Sequence, residues 1–286
     1  AGSDGGLAGV ITIAGGTTTL SGNLAAVGGA KTNAGASQGD GGAVTLSNAT
    51  VLGASMTVDT GATAGNVTFS NTLQSTTTHT ETLGITAGTG NVLFSGVVGG
   101  SDKVLGAVTI TSAGNLTADL AFTAAALTQT AGSGATLFTG AVTTTGKAET
   151  AGGVVNIAAT VGTIDFDSTI TTNGGSTTGI GRAGGNVTLH STTGTIDVDG
   201  TISTIGSAAA ADGVGGAGGT VTITTDGTDA ITVEAITTTG GAGHTDGNGG
   251  VGGEISITST SSTTTLGANI AAIGGAGGGG AGTQGA

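Results

Sequence analysis

The sequence predicts an all-β solenoid, a stack of coils each too small to bury its own apolar face, and three observations carry that prediction. The first is a repeated rung: Gly-Gly-Asn-Val-Thr-Leu begins at Gly184 and Gly-Gly-Thr-Val-Thr-Ile at Gly218. Each is followed by a second alternating run, Ile196-Asp197-Val198 and Ile231-Thr232-Val233, then by one more aliphatic residue, Ile202 and Ile236, and then by a glycine-rich loop from Gly206 and Gly240. The second is a near-duplication, since Thr17 to Ala30 (TTTLSGNLAAVGGA) and Thr263 to Ala276 (TTTLGANIAAIGGA) differ at few positions. The third is phase. The apolar residue of the second run and the aliphatic of the third run stay four apart at Leu20/Leu24, Phe69/Leu73, Phe94/Val98, Ala118/Phe122, Phe138/Val142, Phe166/Ile170, Val198/Ile202 and Leu266/Ile270, while the intervals between coils vary. A fixed phase with variable intervals confines length changes to loops.

In chain order, the first coil opens with Ile11-Thr12-Ile13, passes through Thr17 to Leu20 and reaches Leu24 before a loop from Gly28. Val44 to Val58 holds a further coil of unclear phase, so the positions predict nine or ten coils. Parallel pairing at about 4.8 Å would make a rod roughly 45 Å long, with Val, Ile, Leu and Phe stacked inside and Thr, Ser and Asp outside. Phe69, Phe94, Phe138 and Phe166 are expected on one interior wall. Corner glycines such as Gly65, Gly90, Gly114 and Gly194 are expected to supply φ > 0. Long glycine loops at Gly28–Gly42, Gly174–Gly185, Gly206–Gly219, Gly240–Gly253 and from Gly274 onward are expected to stack as a flange along one edge. No linker divides the chain, so residues 1–286 read as one domain, a mature or excised segment.

Composition narrows the function. The chain carries 7 % charged residues, 63 Gly and no Pro, Trp, Tyr or Cys, with 17 acidic against 4 basic residues and a net charge of −13. Thr, Ala, Val and Ile abound and the helix-forming Glu, Lys and Leu are short, which with the glycines points to strands separated by tight turns. Phosphate neutralisation needs a basic stripe, which Lys31, Lys103, Lys147 and Arg182 do not make, so no nucleic-acid partner is expected. Without cysteine there is no disulfide and no thiolate chemistry. No apolar run approaches the roughly 20 residues of a membrane span.

The stretch GNVLFSGVVGGSDKVLGAVTITSAGNLTADLAFTAA from Gly90 to Ala125, with GGNVTLHSTTGTIDVDGTISTIG from Gly184, resembles the repeat regions of filamentous-haemagglutinin-type and other giant repetitive bacterial surface proteins. The resemblance implies a right-handed parallel β-helix, export to the cell surface, and an adhesive, filamentous or matrix role.

Carboxylates are the main candidates for chemistry. Asp165 and Asp167, Asp197 and Asp199, and Glu234 fall at matching phase in successive coils. In register they would stand about 5 Å apart on adjacent strands, forming either a solvated acidic face or an oxygen cluster suited to calcium. As paired carboxylates for glycoside hydrolysis they lack the basic or aromatic residues that hold sugars, so no catalytic residue and no cofactor other than calcium is assigned. His79, His190 and His244 are too scattered for a triad or a metal cluster. Asp40, Asp212 and Asp246 in glycine loops resemble, without matching, calcium-binding repeats. Asn48, Asn66, Asn115 and Asn186 satisfy the N-glycosylation pattern, but asparagine at strand starts also serves turns. Thr76–Thr78, Thr143–Thr145 and Thr237–Thr239 invite an ice-binding reading, against which they cluster at corners.

The expected function is structural: an extracellular filament or matrix fibre built by self-association of β-helix units through open, uncapped ends. The alternative is a monomeric adhesin binding a cell-surface glycan or receptor; a polysaccharide-acting enzyme and an ice-binding protein are lesser alternatives.

Overall fold

The computed structural model describes residues 4–100, 102–211, 213–260 and 262–279. Its named elements are all strands, every strand pair in them is parallel, and no helix appears among the described residues. Short runs of β-branched and apolar residues, broken every few positions by Gly, Asn or Ser, leave no length for a helix and favour strands of two to eight residues.

The strands stack in three columns, here called faces. On the first, Ile13, Leu46, Phe69, Phe94, Ala118, Phe138, Phe166, Val198, Val233 and Leu266 lie in register one above another. On the second, Thr18, Thr50, Leu73, Val98, Phe122, Val142, Ile170, Ile202, Ile236 and Ile270 do the same. The third aligns Leu24, Val58, Ile85, Ile110, Gln129, Ile157, Leu189, Ile223 and Ile257. Side chains alternate in and out along every strand, so each column is wholly internal or wholly external. The internal ones form one continuous apolar core from Leu20 to Ile236.

The expected phenylalanine wall is present, with a substitution of means at its centre. Phe69 stacks on Phe94 at 5.2 Å and Phe138 on Phe166 at 5.0 Å. Ala118 stands between them on the first face, too small to bridge. Phe122, from the second face, fills that place and meets both Phe94 and Phe138 edge-on at 5.5 and 5.6 Å. All five phenylalanines thus form one aromatic spine, in the offset and edge-to-face geometries that ring quadrupoles favour. One polar pair interrupts the core: the Thr136 hydroxyl donates to Gln129 Oε1 at 2.9 Å.

Two expectations need correction. Leu20 does not share the column of Phe69. Because Ile11–Ile13 takes the first face, Thr18–Leu20 moves to the second, above which lies Thr50–Leu52, and Leu24 belongs to the third. The duplicated segments therefore occupy different faces: Thr264–Leu266 is on the first and Thr18–Leu20 on the second. The loop Gly28–Gly42 accordingly leaves the third face, whereas Gly174–Gly185, Gly206–Gly219 and Gly240–Gly253 run from the second face to the third. The stretch Val44 to Val58, of unclear phase in the sequence, supplies one strand to each face. The second correction concerns corner glycines. Of the four singled out, only Gly194 has φ in the left-handed range, at 144°. At Gly90 and Gly114 a Cβ would instead collide with the adjacent coil, and at Gly65 with Thr60 of its own corner, so glycine is required there for close packing.

Candidate functional site

Three regions carry what functional chemistry the molecule has: the terminal rungs, the acidic column and the glycine flange.

At the first rung Ile11, Ile13 and Leu24 are only half-buried, and at the last Ile255, Ile257 and Ile270 likewise, although all six pack on the core. Thr264–Leu266 is exposed throughout. Their counterparts inside the stack, such as Val67, Ile164 and Ile196, are fully buried. Each end thus presents parallel strand edges that have no partner on one side among the described residues.

Of the expected acidic column, the first face pairs Asp165 in register with Asp197, and Asp197 with Thr232; beyond Val198 the register with the next coil shifts, so Glu234 is not paired with Asp199. Partial burial raises the pKa of both carboxyls above the ordinary range; for Asp165 the charges of Asp167, Asp197 and Asp199 add to it, and for Asp197 those of Asp199 and Asp167. Asp197 Oδ1 is buried and has no hydrogen-bond partner. Glu234 lies beside Gly267 of the last rung. Among the described residues no group of three or more His, Cys, Asp or Glu is placed to hold a metal ion.

The flange is more ordered than its composition suggests. Its segments hydrogen-bond with a period of three: Gly247 N–H donates to the His244 carbonyl, Gly250 to Gly241 and Gly253 to Thr238, at 2.7–2.8 Å. On another side Gly240 donates to Ile273 and Gly243 to Ala276, both at 2.8 Å. Every third residue facing the same neighbour is the repeat of the polyproline-II helix, which has three residues per turn and no internal hydrogen bonds. A zigzag of bonds then ties the layers together, from Gly275 to Gly250, Gly241, Gly216, Ser207 and Arg182. None of these glycines has φ in the left-handed range. Glycine is used because a Cβ at Gly216, Gly241, Gly250 or Gly275 would run into a neighbouring carbonyl, as at a collagen axis.

A buried threonine closes each of these loops. The hydroxyls of Thr144, Thr172, Thr204 and Thr238, all fully buried, donate to the carbonyls of Gly153, Gly185, Gly219 and Gly253 at 2.6–2.8 Å. The sequence pointed to the flange and to glycine's close backbone approach there, but not to its period of three or to the closing threonines, although both leave signals: triplets such as Ile273-Gly-Gly-Ala-Gly-Gly, and a threonine two residues after Val142, Ile170, Ile202 and Ile236. Two members of the threonine runs that suggested ice binding, Thr144 and Thr238, are thereby internal. The outward column of the third face, which includes Thr57, Thr109, Thr128, Thr188 and Thr222, is interrupted by Gly84 and Asn156.

The remaining candidates stay apart. His190 pairs with Asp226 at 2.9 Å on the surface, His244 bonds Thr245, and His79 lies at a separate corner. Asp40 and Asp246 sit in loops of different corners, and Asp212 lies outside the described residues. Asn66, Asn91 and Asn115 form a ladder in which each side-chain oxygen accepts a backbone N–H of the next coil at 2.8–2.9 Å, and Asn186 does the same toward Thr220. Glu149 is clasped by Arg182 at 2.6 Å and by Thr177 and Thr178, which lowers its pKa to about 2. No described helix is long and apolar enough to cross a membrane. The chain matches no protein-family model, no curated protein and no solved structure.

Proposed function

We propose that this chain is a non-enzymatic structural segment of an extracellular filament or surface matrix, a right-handed solenoid of ten coils lengthened by adding further coils at its ends. The observation that carries this reading is the contrast between saturated internal rungs and half-exposed terminal ones. Unpaired edges with stacked aliphatics are a template for another parallel strand. The added coil comes either from a further length of the same chain or from a second copy. The resemblance to filamentous surface-protein repeats and the acidic, nearly lysine-free composition support the same reading. The glycine flange, on one edge of the later coils, stiffens the rod without side chains.

The test is electron microscopy of purified protein across a concentration series, with X-ray diffraction from aligned material. Filaments with a meridional spacing of about 4.8 Å are expected. Uniform single particles of one rod length at all concentrations would contradict assembly between copies. A second reading, an adhesin holding a glycan on its flank, is favoured by one feature, a notch in the row of corner loops.

A further inference from the structure

Loops protrude at the corner between second and third faces in most coils, but not in all. Phe122–Gln129 runs through that corner as one eight-residue strand, leaving Ala125 at the bend with no loop above it. An earlier coil sends out the turn that carries His79, and the next coil sends out Thr145 to Ala151. The gap between them is a cleft of about 300 Å³ with His79, Ala125, Thr145, Lys147 and Thr150 on its walls.

The charge of this cleft runs against that of the whole chain. One ammonium, that of Lys147, lines it in a protein with net charge −13, and no carboxylate does; burial, and then the Lys147 charge, lower the pKa of the His79 imidazole beside it below the ordinary histidine value. The carboxylates of these two loops have partners of their own: Glu81 accepts the Thr77 N–H at 2.8 Å, and Glu149 is held by Arg182. Lys103 braces the lower wall from behind, donating to the Thr76 carbonyl at 2.9 Å. The walls are also held in a costly backbone conformation. Of the three described non-glycine residues with positive φ, His79 (62°) and Glu149 (64°) stand one on each side. Such strain gathers where a surface is fixed for binding.

We propose that the notch binds the carboxylate of an acidic sugar, a uronate unit of a polysaccharide, with Lys147 opposing its charge, Thr145 and Thr150 meeting its hydroxyls, and the His79 imidazole as the wall beside it. The volume is at the lower end for a small-ligand site and suits one monosaccharide. All five phenylalanines are internal, so no aromatic platform exists for a neutral sugar and charge must carry recognition. An acidic peptide would find only alanine to pack against.

With three histidines in the chain, the imidazole nitrogen resonances report this site directly, in solution or in sedimented filaments. Titration with glucuronate is expected to move the His79 signals saturably, with a dissociation constant on the order of 1 mM, while His190 and His244 stay still. Glucose should move nothing, and acetate or a Glu-containing tripeptide should bind on the order of tenfold more weakly. Lys147→Ala, at an exposed position, should weaken glucuronate by about tenfold, whereas Lys31→Ala should not. A still His79, acetate or the peptide binding as well as glucuronate, or an unaffected Lys147→Ala variant would each overturn the proposal. The filament reading is judged by microscopy and stands or falls separately.

Discussion

The aromatic spine and the glycine flange stack along the same axis by opposite means. From Phe69 to Phe166 the coils are held by large side chains that touch coil to coil, with rings 5.0–5.6 Å apart. In the flange, whose loops lie between Asn173 and Gly278 and are rich in glycine and alanine, backbone bonds of 2.7–2.9 Å join each loop to the next. The first is dominated by apolar burial, the second by hydrogen bonds that only glycine permits at that distance. The spine should therefore tolerate exchanges of similar volume but no loss of bulk, and the flange no gain of a single methyl group.

The comparison is broken most severely by removing a ring. Phe138→Ala would leave a cavity beside Phe122 and Phe166, and a loss of about 3–5 kcal/mol is expected in denaturant unfolding. Phe138→Leu should cost much less. Next is the flange: Gly216→Ala should cost about 1–3 kcal/mol through forced backbone movement, and amide exchange should accelerate between residues 204 and 253. Gly179→Ala, where a Cβ would meet nothing within 4 Å, should stay within about 0.5 kcal/mol of the parent. If both glycine variants behave alike, the flange is not a close-packed lattice. Thr204→Val, which keeps the volume and removes the 2.8 Å bond to the Gly219 carbonyl, should cost about 1 kcal/mol.

The smallest effect is electrostatic and has the opposite sign. Asp165 and Asp197 have folded-state pKa values above their unfolded ones, so the folded chain binds their protons more readily. Stability then falls as pH rises from the usual carboxylate range through the raised values, and returns on acidification. Asp165→Asn should therefore stabilise the protein at pH 7, by on the order of 0.5 kcal/mol after solvent screening, with the gain vanishing in acid. Calcium bridging the pair would instead raise the melting temperature of the parent and not of the variant, so the same melts with and without the ion decide between the two readings of the column.

Much of this was legible in the sequence because internal columns demand like residues at like phase. Phe69, Phe94, Phe138 and Phe166 announce their shared wall, and Asp165 its pairing with Asp197. Phe122 was not legible as part of the spine, since it belongs to another face and enters only because Ala118 is small. Leu20 was misplaced because a short strand pattern repeated on every face does not say which face it occupies. The flange was read as loops because its repeat is three residues, a period that neither strand nor helix patterns test. The notch is invisible in sequence: it is the absence of a loop in one coil, bounded by residues far apart in the chain.

Amide hydrogen exchange at the terminal rungs, compared between dilute protein and assembled material, tests the central claim most directly. Exchange at Ile11–Ile13 and Thr264–Ala271 is expected to be fast when dilute and to slow to the level of Ile196–Val198 in filaments. Filaments whose terminal rungs still exchange fast would show that the coils do not join end to end.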